Sequence, residues 1–82
     1  NHFSVFPNPV HDQFSLLAIG NISGKYNCKI YDVTGKLLTN TNIDFKQNYI
    51  HQFSVPSGYK GLIMVLLTSE TGQMFTRTIV CN

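Results

Sequence analysis

Tyr26-Asn27-Cys28-Lys29-Ile30-Tyr31-Asp32-Val33-Thr34-Gly35-Lys36-Leu37-Leu38 decides the fold of this chain. Tyr26, Cys28 and Ile30 alternate with Asn27, Lys29 and Tyr31, the period of two that sends successive side chains to opposite faces of a strand. The segment from Asp32 to Lys36 then interrupts the run. Gly35 is free to take the positive φ that a tight hairpin needs. Asp32 can fold its carboxylate back onto a nearby backbone N–H and fix the turn. Leu37 and Leu38 open a second run that reaches to about Phe45. The stretch therefore reads as a β-hairpin.

The same pattern extends in both directions. Upstream, Phe3 and Val5 flank Ser4, and Phe14, Leu16 and Ala18 share one face of the next run. Downstream, Tyr49, His51, Phe53 and Val55 alternate with Ile50, Gln52 and Ser54. Leu62 to Leu67 is continuously apolar, which predicts a strand covered on both faces. In the last run Phe75 and Ile79 share a face and Val80 lies opposite. A second turn, Ser69-Glu70-Thr71-Gly72-Gln73, echoes the first, with Gly72 in the place of Gly35. Pro7-Asn8-Pro9 forms a stiff corner: neither proline donates a hydrogen bond, and each pushes the residue before it toward extended geometry. Asn8 can accept from the Val10 N–H there. About seven short strands with turn signals every 8–12 residues or so point to an all-β sandwich or barrel. No segment keeps helical spacing behind a capping residue.

Eighty-two residues make a single domain over 1–82. A chain this short buries roughly 60–65% of the surface its unfolded form exposes, leaving little room for an enclosed cavity. Hydrophobic residues are 43% and charged residues 12%, so the chain is globular and its surface rests on Asn, Ser, Thr and Gln. That balance suits strands and an extracellular setting. The net charge of +2 is spread over Lys25, Lys29, Lys36, Lys46, Lys60 and Arg77 with no run among them, which argues against nucleic acid as a partner. No apolar stretch reaches the ~18–20 residues of a transmembrane segment. The N-terminus has no charged-then-apolar leader pattern, so an export signal is expected upstream and the chain is expected to be a piece of a longer protein. Cys28 and Cys81 leave two readings open: a disulfide, or one buried thiol and one terminal residue.

Nothing in the spacing assembles catalytic chemistry. Asp32 and Glu70 sit in turns, Asp12 follows the proline corner and Asp44 lies at a strand end, with no pairing suited to acid–base work. His2, His11 and His51 lack metal-ligand spacing. Gly58 and Gly61 flank Tyr59-Lys60 with no helix to follow, so they form no phosphate loop. The sequence thus implies no enzyme, no metal and no cofactor. Tyr26, Tyr31, Tyr49 and Tyr59 leave a second functional reading: a carbohydrate-binding or spacer module of a secreted glycosidase, with the rings as a sugar-stacking platform.

Taken together in order, Val5-Phe6-Pro7-Asn8-Pro9-Val10 with Phe14 and Leu16, Lys29 to Leu37, Val55-Pro56-Ser57-Gly58-Tyr59 and Thr71-Gly72-Gln73 resemble the C-terminal sorting domain of the bacterial type IX secretion system. The resemblance implies an immunoglobulin-like antiparallel β-sandwich behind a larger N-terminal cargo domain in an exported protein of the Bacteroidetes. It implies partners in the outer-membrane secretion machinery and a sortase-like peptidase, passage through the periplasm, and a final place at the cell surface or in the medium. On this chain it makes Pro7, Asn8 and Pro9 the corner into the second strand and Asp32, Gly35 and Lys36 the central turn. The penultimate strand starts at Gly58 by residue type or at Gly61 by distance to Gly72. The family tends to end in basic residues, whereas this chain ends Ile79-Val80-Cys81-Asn82. The machinery is expected to read the last strand or an exposed edge, with Arg77, Ile79 and Val80 as docking residues.

Overall fold

A computed structural model describes residues 2–7, 12–46 and 50–82. Asn8 and Pro9 of the proline corner, with Val10, His11 and Tyr49, lie outside the described residues. Seven strands are described: β1 (His2–Phe6), β2 (Gln13–Ile19), β3 (Gly24–Asp32), β4 (Leu37–Phe45), β5 (Ile50–Ser54), β6 (Gly61–Ser69) and β7 (Met74–Cys81). They form two antiparallel sheets, one in the order β1-β2-β5 and the other in the order β4-β3-β6-β7. The arrangement is immunoglobulin-like with one change. The fourth strand, which joins the first sheet of a constant-type domain, here stays beside β3 because the short Asp32–Lys36 turn folds it straight back.

Alternation decides what each strand buries. Phe14, Leu16 and Ala18 of β2 and Tyr26, Cys28 and Ile30 of β3 all point inward, as do Ile63, Val65 and Leu67 of β6 and Ile79 and Cys81 of β7. The layers meet in an aromatic cluster. Phe3 of β1 lies 5.4 Å from Tyr26, 5.2 Å from Phe45 and 5.0 Å from Phe75, ring centre to ring centre, in tilted or edge-on geometry. Such contacts add to the burial of the rings themselves, by about 0.5–1.5 kcal/mol per pair. Phe14 and Phe53 stack at 5.3 Å within the smaller sheet. A β-bulge between Ile30 and Tyr31 shifts the β3–β4 register, so that Tyr31 opposes Leu37 while Ile30 opposes Thr39. Leu38, the extra residue, packs against the core.

Two sequence expectations change here. The run Leu62 to Leu67 is covered on one face only: Ile63, Val65 and Leu67 are buried, but Leu62 and Met64 face outward and are exposed. An apolar run without alternation carries no sign of which face lacks a covering layer. The disulfide reading also falls. Cys28 opposes Leu67, which opposes Phe75, and Cys81 lies six residues farther along β7. That is about 20 Å along the strand at ~3.4 Å per residue, against a disulfide limit near 7 Å. Both cysteines are free and buried. The penultimate strand starts at Gly61.

Replacing Leu67, 1% exposed, by Ala is expected to cost about 2–5 kcal/mol in denaturant unfolding. Met64→Ala, three residues away on the open face, is expected to stay within about 0.5 kcal/mol. Equal losses at both sites would mean that β6 is covered twice.

Burial pushes the Cys28 thiol up to about 12 and also raises that of Cys81. Air oxidation of the folded protein is expected to leave no Cys28–Cys81 bridge, and Cys28 is expected to alkylate only on unfolding, as mass spectrometry would show.

Candidate functional site

The two Gly-containing hairpins use one bonding scheme. In the first, Asp32 N–H donates to the Lys36 carbonyl (2.9 Å) and Gly35 N–H to the Asp32 carbonyl (3.1 Å). In the second, Ser69 N–H donates to the Gln73 carbonyl (2.8 Å) and Gly72 N–H to the Ser69 carbonyl (3.0 Å). Gly35 and Gly72 sit at φ +86° and +89°, the left-handed region that this three-residue hairpin loop requires. The side chain of the first turn residue completes each loop. Asp32 Oδ1 accepts from Thr34 N–H (2.9 Å), Thr34 Oγ1 (2.6 Å) and Lys36 N–H (3.0 Å). Ser69 Oγ accepts from Gln73 N–H at 3.0 Å and lies 3.0 Å from Thr71 Oγ1. Serine does in one turn what aspartate does in the other. The bond from the Thr34 hydroxyl is the largest influence on the Asp32 carboxyl; together with the two backbone donors and the Lys36 charge it outweighs the opposing desolvation and lowers the carboxyl from its ordinary range.

The β5–β6 connection is fixed by a turn of its own. Tyr59 N–H donates to the Pro56 carbonyl at 3.0 Å, with Gly58 at φ +78°, and the Tyr59 hydroxyl donates to the Leu62 carbonyl at 2.7 Å. The strand directions bring this corner, Pro7, the Asp32–Lys36 turn and the end of β7 to one end of the sandwich, whereas Gly72 lies at the other.

The residues expected to dock divide sharply. Ile79 is 1% exposed and belongs to the core, so its side chain is not available to a partner of the folded domain. The alternation that starts at Phe75 carries it inward. Arg77 is half-buried on the same face. Its Nε donates to the Phe3 carbonyl of β1 at 3.2 Å and its Nη1 to the Thr76 carbonyl at 2.7 Å, so the guanidinium bridges the facing edges of the two layers. Val80 is 42% exposed. Apolar side chains that the sequence reading did not single out, among them Leu62 and Met64, share its outer face.

Among the described residues no three His, Cys, Asp or Glu side chains gather as a metal site. Asp44 and Glu70 lie at the opposite end from Asp32. Tyr26 is buried in the aromatic cluster, Tyr31 lies on the outer face and Tyr59 closes a loop. These three make no row on which a sugar could stack, which takes away three of the four rings on which the carbohydrate reading rests; the fourth, Tyr49, lies outside the described residues. What the arrangement offers is a surface built on rigid turns.

The family model of the secretion system C-terminal sorting domain matches residues 4–81. The chain belongs to this family. It is a sorting signal of type IX secretion: a non-catalytic β-sandwich that the secretion machinery recognises and that directs export to the cell surface or the medium. No curated protein and no solved structure gives a match. No helix among the described residues of this sorting domain is long and apolar enough to cross a membrane.

The lowered Asp32 pKa sets a test of the hairpin. A carboxyl whose folded value is depressed stabilises the fold above the ordinary carboxylate pKa and ceases to do so as pH falls through the folded value. Asp32→Ala is therefore expected to lower Tm at neutral pH, and the gap to wild type is expected to close in acid. Asp32→Ser, which copies the second hairpin, is expected to recover part of the loss. A gap that stays constant with pH would contradict the role given to the carboxylate.

Proposed function

We propose that the domain serves as the folded address of a larger exported protein. A cargo domain lies on its N-terminal side, outer-membrane proteins of the secretion system take hold of it, and a sortase-like peptidase then separates it from the cargo. Residues 1–82 act as one unit in this role. The observation that carries the reading is the coincidence of two spans: the family match covers residues 4–81, and the buried core runs from Phe3 to Cys81. What is matched as a signal is therefore nearly the same length of chain as what folds. Its last strand, β7, is an edge strand, paired among the described residues with β6 on one side only, and edge strands can take up a partner strand.

The test is transfer. Residues 1–82 are placed behind a reporter that carries its own export leader, in a Bacteroidetes strain with a working type IX system and in one without. The reporter is expected on the surface or in the medium only when both the domain and the system are present, with the domain cut away in the presence of the peptidase. Periplasmic retention in both strains would contradict the reading.

A further inference from the structure

The outer face of the four-stranded sheet changes character along its length. Toward the β6–β7 hairpin it is mainly polar, with the exposed Met74 as an isolated apolar exception. Asn27 Nδ2 donates to Asn40 Oδ1 at 2.8 Å and to Asn42 Oδ1 at 3.1 Å, and Lys25 opposes Asp44. Toward the other end it is apolar. Leu37 stands beside Tyr31, Tyr31 beside Met64, and Leu62 beside Val80, and Val33 of the Asp32–Lys36 turn shares a shallow depression with Leu62 and Met64. Val33 is 68% exposed and Met64 46%, with Leu37, Leu62 and Val80 close to Met64. Five side chains at this exposure offer on the order of 400 Å² of apolar surface, the size at which a patch on a monomer is often functional.

Charge is distributed to match. Lys36 adjoins Leu37, Lys29 lies in the row next to Tyr31, and Lys60 precedes the strand that carries Leu62. Among the described residues of this sheet and its turns, the carboxylate at this end is Asp32, whose Oδ1 is taken up by its own turn; Asp12 lies at the same end of the facing layer. Asp44 and Glu70 lie at the far end, with Lys25 and Lys46. The patch is thus apolar with a cationic rim.

We propose that this patch is the face by which the secretion machinery holds the domain, and that the partner is a protein surface of matching chemistry, apolar at its centre and acidic at its rim. The inference rests on the sorting role and assigns it a location. Two other occupants fit less well. A second copy of the chain would bring two lysine rims together, and like charges in a contact are costly. A lipid surface is penetrated by protruding apolar loops, whereas here only Val33 lies on a turn and the other residues lie in the plane of the strands. The area also decides between contact types. It is about half of the ~800 Å² that each partner gives to a stable complex, which suits a grip that is made and then released.

The test uses the complete domain behind an exported reporter in a strain with a working type IX system. Met64→Glu sets a charge in the centre of the patch and Lys60→Glu reverses part of its rim. Each is expected to lower surface delivery about tenfold, with Tm held near wild type. Gln52→Glu, on the outer face of the other sheet, is expected to change nothing. If Met64→Glu does not fold, Met64→Ser is the variant to read. Unchanged delivery by a folded patch variant would overturn the inference. Failure of the wild-type domain to deliver the reporter would instead strike the sorting role itself. A photo-crosslinker at position 62 in living cells is expected to join an outer-membrane protein of the secretion system. Joining only a second copy of the domain, or wild-type binding to phosphatidylglycerol vesicles that Met64→Glu abolishes, would overturn the choice of occupant.

Discussion

The packing of one ring, Phe3, holds the two layers of this sandwich in place. It comes from the first strand and inserts among Tyr26, Phe45 and Phe75, each from a different part of the opposing sheet. In a domain this small the total stability is a narrow margin over a large entropy cost. A single anchor that touches β3, β4 and β7 at once therefore matters out of proportion to its size. The Arg77 guanidinium ties the same residue's carbonyl to the last strand. The first and last strands of the sandwich are thus joined at one point.

That closure has a functional consequence. A sorting signal at the end of a chain could work as a short linear tag, but here the last strand is also structure. Ile79 and Cys81 fill the core while Val80 faces out. Anything that recognises β7 in the folded domain meets its outer face and the edge that lies away from β6. The two hairpins and the Tyr59 corner hold those features in place with hydrogen bonds that cost the domain no catalytic residues, in keeping with a module whose chemistry is recognition.

Much of this was legible in the sequence, for definite reasons. The alternation of Tyr26, Cys28 and Ile30 gave β3 and its buried face, and Asp32 with Gly35 gave the turn, because both depend only on neighbours in the chain. The pairing of β3 with β6 depends on residues more than thirty positions apart, and no local pattern encodes it. The run Leu62 to Leu67 misled because apolar residues on both faces mask which one is open. The docking set of Arg77, Ile79 and Val80 mixed the two faces of β7: alternation from Phe75 already places Ile79 inside, whereas the bond from Arg77 to Phe3 is visible only once β1 and β7 are stacked. The choice between Gly58 and Gly61 needed the Pro56–Tyr59 turn, which uses Gly58 and leaves Gly61 to begin the strand.

The most direct measurement is the export of a Phe3→Ala variant as its folded fraction is varied with temperature. The substitution lies far along the chain from the terminal segment, leaves every outer-face residue unchanged, and is expected to cost about 3–5 kcal/mol. If the secretion system reads a folded surface, delivery falls in step with the loss of native near-UV dichroism and recovers on cooling. Delivery that stays at the wild-type level while the sandwich is unfolded would mean that a linear stretch is read, and would contradict the account.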